Sequence, residues 1–216
     1  MKIKLKILLL AAALCALTEA CGAKLDAQGY LQAMLDLSYK NEAEAYVDMG
    51  LGTQEEAAAL YERGIDSEMS YFKETLSLSE EQESEFRGLF EELYKKASYT
   101  VGEEQKQEDG SYIVQIAYRR MRVFEPAISA YYEGIAALPE KWEAQEETPT
   151  QEEMLADMVE ILCDALRKSI ENAEYDEEET LTIAIELAGN VYTPNSDDVA
   201  ALEQALFDSD YSGSAK

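Results

Sequence analysis

The chain reads as an α+β protein in which helices pack on a small antiparallel sheet of two hairpins. Three observations predict this class: apolar stripes at three- and four-residue spacing through residues 53–97 and 126–170, a period-two stretch around Asp109-Gly110, and an alternating run from Thr180 to Leu187. Asp26 is placed to cap a first helix carrying Tyr30, Leu31, Met34, Leu35 and Ser38 on one face and ending near Lys40, and a short helical piece from Glu42 to Met49 precedes Gly50 and Gly52. Thr53-Gln-Glu-Glu56 is a capping box, the opening of a long helix in which Tyr61, Ile65, Met69, Phe72 and Leu76 share a face. Ser79-Glu-Glu-Gln82 repeats the signal ahead of Phe86, Leu89, Phe90, Leu93 and Ala97.

From Tyr99 the period changes to two, and after Glu108-Asp109-Gly110 the residues Tyr112, Val114, Ile116 and Tyr118 alternate again, which predicts a hairpin with Asp109-Gly110 in its turn. Glu125-Pro126 opens the next helix, with proline expected at its first position and Ile128, Tyr131, Tyr132, Ile135 and Leu138 on its apolar face. Pro139 ends or kinks it, and Trp142 in the acidic connection is expected to staple that loop to the core. A third capping box, Thr150-Gln-Glu-Glu153, starts a helix whose face is Leu155, Val159, Leu162, Leu166 and Ile170. Thr180–Leu187 is a strand with one wet face, Val191 to Thr193 returns after a turn at Gly189-Asn190, and Asn195 or Ser196 caps a last helix carrying Val199, Leu202 and Leu206. The expected organisation is a leader over 1–20, an anchor and tether over 21–25, one domain over 26–208 and a frayed end over 209–216.

Ahead of the domain stand Lys2, Lys4 and Lys6, an apolar run from Ile7 to Leu17, and Leu17-Thr18-Glu19-Ala20-Cys21-Gly22. This is the layout of a secretory signal peptide, and the run is shorter than the roughly 20 apolar residues that span a bilayer. The last six residues resemble the lipobox of bacterial lipoproteins, although Thr18 stands where that family usually has leucine. The resemblance implies that Cys21 is lipidated and becomes the first mature residue; ordinary cleavage to a secreted protein is the alternative. Gly22 to Leu25 would reach about 14 Å at most, holding the domain close to the membrane. The whole layout is also similar to uncharacterised surface lipoproteins of Gram-positive bacteria, a family that carries no established activity. A more distant likeness to cone-shaped folds of the nuclear-transport-factor-2 type supplies an alternative architecture.

Composition narrows the chemistry. The net charge of −27 deepens to −29 when the leader leaves with three lysines and one glutamate, so nucleic acid and anionic lipid headgroups are poor partners. With Cys15 in the leader and Cys21 at the anchor, Cys163 has no intramolecular partner and reads as a small packing residue. The absence of histidine removes the Ser-His and Cys-His nucleophile pairs and the commonest transition-metal ligand. No catalytic residue, cofactor or metal site is assigned. A carboxylate-dependent cell-wall or glycan hydrolase is the second reading behind a non-catalytic binding module whose partner is an unknown protein or small molecule. The one positive cluster is Arg119, Arg120 and Arg122, half of the six arginines. Simple alternation places Arg120 and Arg122 together, beside Tyr118, as a possible anion-binding pair just before a helix N-terminus, with Arg119 facing away.

Overall fold

A computed structural model describes residues 25–207, apart from Ser77, Glu146 and Asn190, together with a two-residue strand β1 (Leu17–Thr18). The rest of the leader, Cys21 and residues 208–216, with the lipidation and frayed end predicted for them, therefore lie outside the described residues. Helices α1 (Ala27–Leu35), α2 (Glu44–Asp48), α3 (Gln54–Leu76) and α4 (Glu80–Lys95) come first, followed by the hairpin β2 (Ser98–Lys106) and β3 (Tyr112–Arg122). Then come α5 (Phe124–Ala136), α6 (Leu138–Glu143), α7 (Gln151–Glu171), a second hairpin β4 (Glu174–Ala188) and β5 (Val191–Pro194), and α8 (Ser196–Leu206). The fold is α+β, as predicted.

The two hairpins join into one antiparallel sheet of order β1-β5-β4-β3-β2. The seam is β3–β4, where Val114 lies opposite Ile183 and Ile116 opposite Leu181. On the inner face Tyr112, Val114, Ile116, Ile183 and Ile185 are buried, while Gln115, Thr180 and Thr182 on the other face are exposed, so the sheet has one wet face. Strand β4 is longer than its alternating segment suggests. It begins at Glu174 and continues through the acidic run, because pairing with β3 holds those residues extended although glutamate has little intrinsic preference for strands.

Helix α1 is fastened to the sheet at its first turn. Asp26 Oδ1 accepts from the Gly29 N–H at 2.8 Å, and Glu104 Oε2, reaching from the bulge in β2, accepts from the N–H groups of Ala27 and Gln28 at 2.5 and 3.1 Å. Three of the four orphan donors of the helix start are thereby satisfied, one of them locally and two from a strand 76 or 77 residues away. Beyond α1 the backbone widens to π-helical turns over Asp36–Lys40 and stops at Asn41, which adopts φ +58°. Three consecutive residues, Leu37, Ser38 and Tyr39, are buried here, more than one α-helical stripe places side by side.

All three predicted capping boxes form, at Thr53/Glu56, Ser79/Gln82 and Thr150/Glu153. Helix α1 and α8 pack on the sheet, α3 and α4 on the π-helical segment, α7 along α4, and α5 along α7. Helix α5 starts two residues earlier than its proline suggests, so Pro126 is its third residue; its missing N–H still costs nothing there, since first-turn donors have no intrahelical acceptor. Trp142 stands on the short helix α6 rather than in a loop and ties it to α7 rather than to the core, its indole N–H donating to Asp157 Oδ2 at 2.7 Å beside a Lys141–Asp157 ion pair of 2.8 Å.

Close approach of α5 and α7 depends on Gly134, where an added Cβ would lie 2.5 Å from Ile161 Cγ2, a β-branched carbon with little freedom to move. Gly88 in α4 has open space around it. Replacing either by alanine gains about 1 kcal/mol of helix propensity. Urea denaturation is therefore expected to show Gly88→Ala stabilised by about 0.5–1 kcal/mol, and Gly134→Ala destabilised by about 1 kcal/mol, because overpacking of about 1–3 kcal/mol exceeds that gain.

Candidate functional site: the arginine strand end and the buried polar cluster

Strand β3 carries the arginines to its end, but a bulge between Arg119 and Met121 breaks the alternation. Buried positions run Tyr112, Val114, Ile116, Tyr118 and then Met121, an odd step that turns Arg122 to the side of Arg119. The expected grouping is thus corrected: Arg119 and Arg122 converge, and Arg120 stands apart. Arg122 Nε donates to Asp176 Oδ1 at 2.5 Å, Arg119 Nε donates to the Asp176 carbonyl at 3.0 Å, and the Arg119 guanidinium lies 5.7 Å from the Tyr175 ring centre. Arg120 Nε donates instead to the Ala205 carbonyl in the last turn of α8 at 3.3 Å, where a cation complements the helix dipole. Its charge also opposes the rise that burial and the 2.8 Å hydrogen bond to Glu179 impose on the Tyr118 hydroxyl pKa. These contacts tie β3 to β4 and to α8.

A second polar group lies inside the core. Tyr94 of α4 is fully buried, and its hydroxyl pKa is driven well above normal by burial and then by the charges of Glu68 of α3 and Glu203 of α8, with Tyr39 and Tyr61 adding to the effect. Tyr39 is raised in the same way by burial and Glu203, and Tyr61 is pushed up to about 12, first by burial. Glu68 is 1% exposed and Glu203 5%. The hydroxyls of Tyr39, Tyr61, Tyr94 and Ser38 find no hydrogen-bond acceptor or donor among the described residues. These phenols remain protonated throughout the physiological range and supply donors within a ring-packed core, where Tyr94 lies 5.7 Å from Phe207 and 6.2 Å from Tyr39. Sequence reading missed both glutamates. The signal was present, since Glu68 occupies the stripe of Tyr61, Ile65 and Phe72, and Glu203 that of Val199, Leu202 and Leu206.

Beside this cluster Asp36 opens the π-helical segment. Burial opposes its charge, yet hydrogen bonds from Lys40 Nζ at 2.7 Å, Gln32 Nε2 at 2.6 Å and the Tyr99 hydroxyl at 2.7 Å together hold its pKa below the ordinary aspartate value. Tyr99 rises correspondingly, from burial first and then from its bond to Asp36. Cys163 is buried and its thiol pKa is pushed up to about 12, chiefly by burial, which fits a packing residue. Among the described residues no group of three or more Cys, Asp or Glu side chains is arranged to hold a metal ion.

No family model matches this sequence, and no curated protein does. Among solved structures it resembles that of ycdA, a lipoprotein candidate of Bacillus subtilis strain 168, with a TM-score of 0.56 at 12% identity over 85% of this chain. The likeness is one of fold. This chain spans 56% of that structure's length.

Two measurements follow. Because the folded pKa of Asp36 is depressed, its stabilising contribution is present above the unfolded value near 3.9 and is lost as pH falls through the folded value. Asp36→Asn is expected to cost about 1–3 kcal/mol at pH 7 in urea denaturation, with the gap to wild type closing on acidification. Calorimetric titration with phosphate, sulfate or acetate is expected to give no heat above dilution, because Asp176 already engages Arg122. Saturable binding that disappears in an Arg120→Ala, Arg122→Ala double variant would instead establish the anion pair.

Proposed function

We propose that this protein is a non-catalytic lipoprotein, held by a lipid on Cys21 at the outer face of the bacterial cell membrane, whose folded domain binds a protein, peptide or small ligand. The observation that carries the reading is the Leu17–Gly22 segment behind a lysine-bearing apolar leader, which places a cysteine where lipoprotein processing needs it. The fold likeness to a lipoprotein candidate is consistent with it. So is the lack, among the described residues, of any helix long and apolar enough to cross a membrane, since a lipid anchor requires none.

The binding half of the proposal rests on what the acidic residues do. A glycosidase needs two carboxylates that touch its substrate. Among the described residues the buried acids are Glu68 and Glu203, and both lie in the core, out of reach of a polymer. The acids that pair with Arg87, Glu62 and Asp66, lie in solvent-exposed bridges on the helix surface rather than facing one another in a cleft.

Fractionation of cells labelled with a fatty-acid analogue tests the anchor. Wild type should partition with membranes and carry label, and Cys21→Ala should lose the label and appear in the medium. Equal membrane retention of the unlabelled variant would overturn the lipid anchor, and wild type free in the medium would establish the secreted form.

A further inference from the structure

Tyr39 of the π-helical segment, Tyr61 of α3 and Tyr94 of α4 each carry a buried hydroxyl with no hydrogen-bond partner among the described residues. Folded chains leave few buried polar groups unsatisfied, so three in one region call for a physical explanation. Tyr39 and Tyr94 are neighbours: their ring centres lie 6.2 Å apart, and both rings pack on Phe207, at 6.1 and 5.7 Å. Helices α3 and α4 both pack on the π-helical segment, and the Tyr61 hydroxyl comes near enough to act on that of Tyr94.

Two carboxylates belong to the same region. Glu68 enters from α3 and Glu203 from α8, both buried; the charges of both act on the Tyr94 hydroxyl, and Glu203 also acts on that of Tyr39. The phenols nonetheless stop short of hydrogen-bond distance from any acceptor among the described residues. A phenol needs an acceptor for its proton, and a carboxylate has about four acceptor positions, so it can take further donors besides its protein partners. A bare cation or an ammonium group would serve the carboxylates and leave the phenol protons without an acceptor. Water serves both, because one oxygen accepts from a phenol while its two protons are donated onward.

We propose that the region where the π-helical segment, α3, α4 and α8 meet is an internal water site, in which ordered water accepts from the Tyr39 and Tyr94 hydroxyls and donates to the carboxylates of Glu203 and Glu68. The Tyr61 hydroxyl is acted on by Glu62, Glu91 and Arg87 as well, which puts it on the side of the site toward the α3–α4 surface. Bridging water holds two phenols in fixed directions, so the site specifies how the π-helical segment seats against its neighbours, which apolar contact alone does less sharply. The inference is independent of the lipid anchor and of the ligand-binding reading.

A high-resolution crystal structure of the protein is expected to show water within hydrogen-bond distance of Tyr94 Oη and of a carboxylate oxygen of Glu68 or Glu203. In solution, magnetic relaxation dispersion of the water oxygen counts long-lived internal waters. Wild type should hold at least one more than a Tyr39→Phe, Tyr94→Phe double variant, which keeps both rings and removes both hydroxyls. Tyr132→Phe, a change on an exposed ring, should leave the count at the wild-type level. A dry region in the crystal, with the phenols bonded directly to the carboxylates, would overturn the proposal. So would a bound cation there, recognised by six or more oxygen ligands at about 2.3–2.6 Å. Equal counts for wild type and a folded double variant would overturn it as well, and if that variant does not fold, the wild-type crystal structure decides alone.

Discussion

The architecture depends on one long-range pairing, the β3–β4 seam. Each hairpin alone would be a marginal two-stranded ribbon. Joined along the seam, they give a continuous inner face on which Val114, Ile116, Ile183 and Ile185 are removed from water and against which α1 and α8 lie. Every other layer stacks outward from that face, the π-helical segment with α3 and α4 next, then α7, then α5. The order explains why apolar side chains of similar pattern meet different fates: Phe86 and Leu89 are deep, and Tyr132 and Leu155 are not.

Polar groups pin the layers in register. Glu104 reaches from the β2 bulge to the first turn of α1, Asp198 of α8 accepts from the Ala184 N–H at 2.9 Å, and Arg119 and Arg122 clasp Asp176 across the seam. The bulges that bring Glu104 and Arg122 into place are departures from regular pairing, each one residue's worth of shift that redirects the side chains beyond it. The same device that secures the domain's start therefore also dissolves the arginine pair that alternation suggests.

The interior is largely apolar but holds a few polar groups. Tyr39, Tyr61 and Tyr94 bring phenol hydroxyls into the same core that holds the carboxylates of Glu68 and Glu203, and burying such groups costs free energy unless they are hydrogen-bonded to one another or to water. The same core carries ring contacts among Phe72, Phe90, Tyr94 and Phe207, which are stabilising.

Sequence alone determined the elements whose signals are local. The capping boxes, the Asp109-Gly110 turn, the apolar stripes of α3 and α4 and the wet face of β4 depend on neighbours a few residues away, where period and turn chemistry act directly. The extension of β4 back to Glu174 was decided by its partner strand, because the seam holds an acidic run extended that its own preferences do not. The split of Arg120 from Arg122 was decided by a bulge that leaves no local mark in the sequence. The apolar stripes of α5 and α7 announce amphipathic helices, yet whether Tyr132 and Leu155 are covered depends on which elements remain to pack on them, and that is a property of the layer order rather than of any helix.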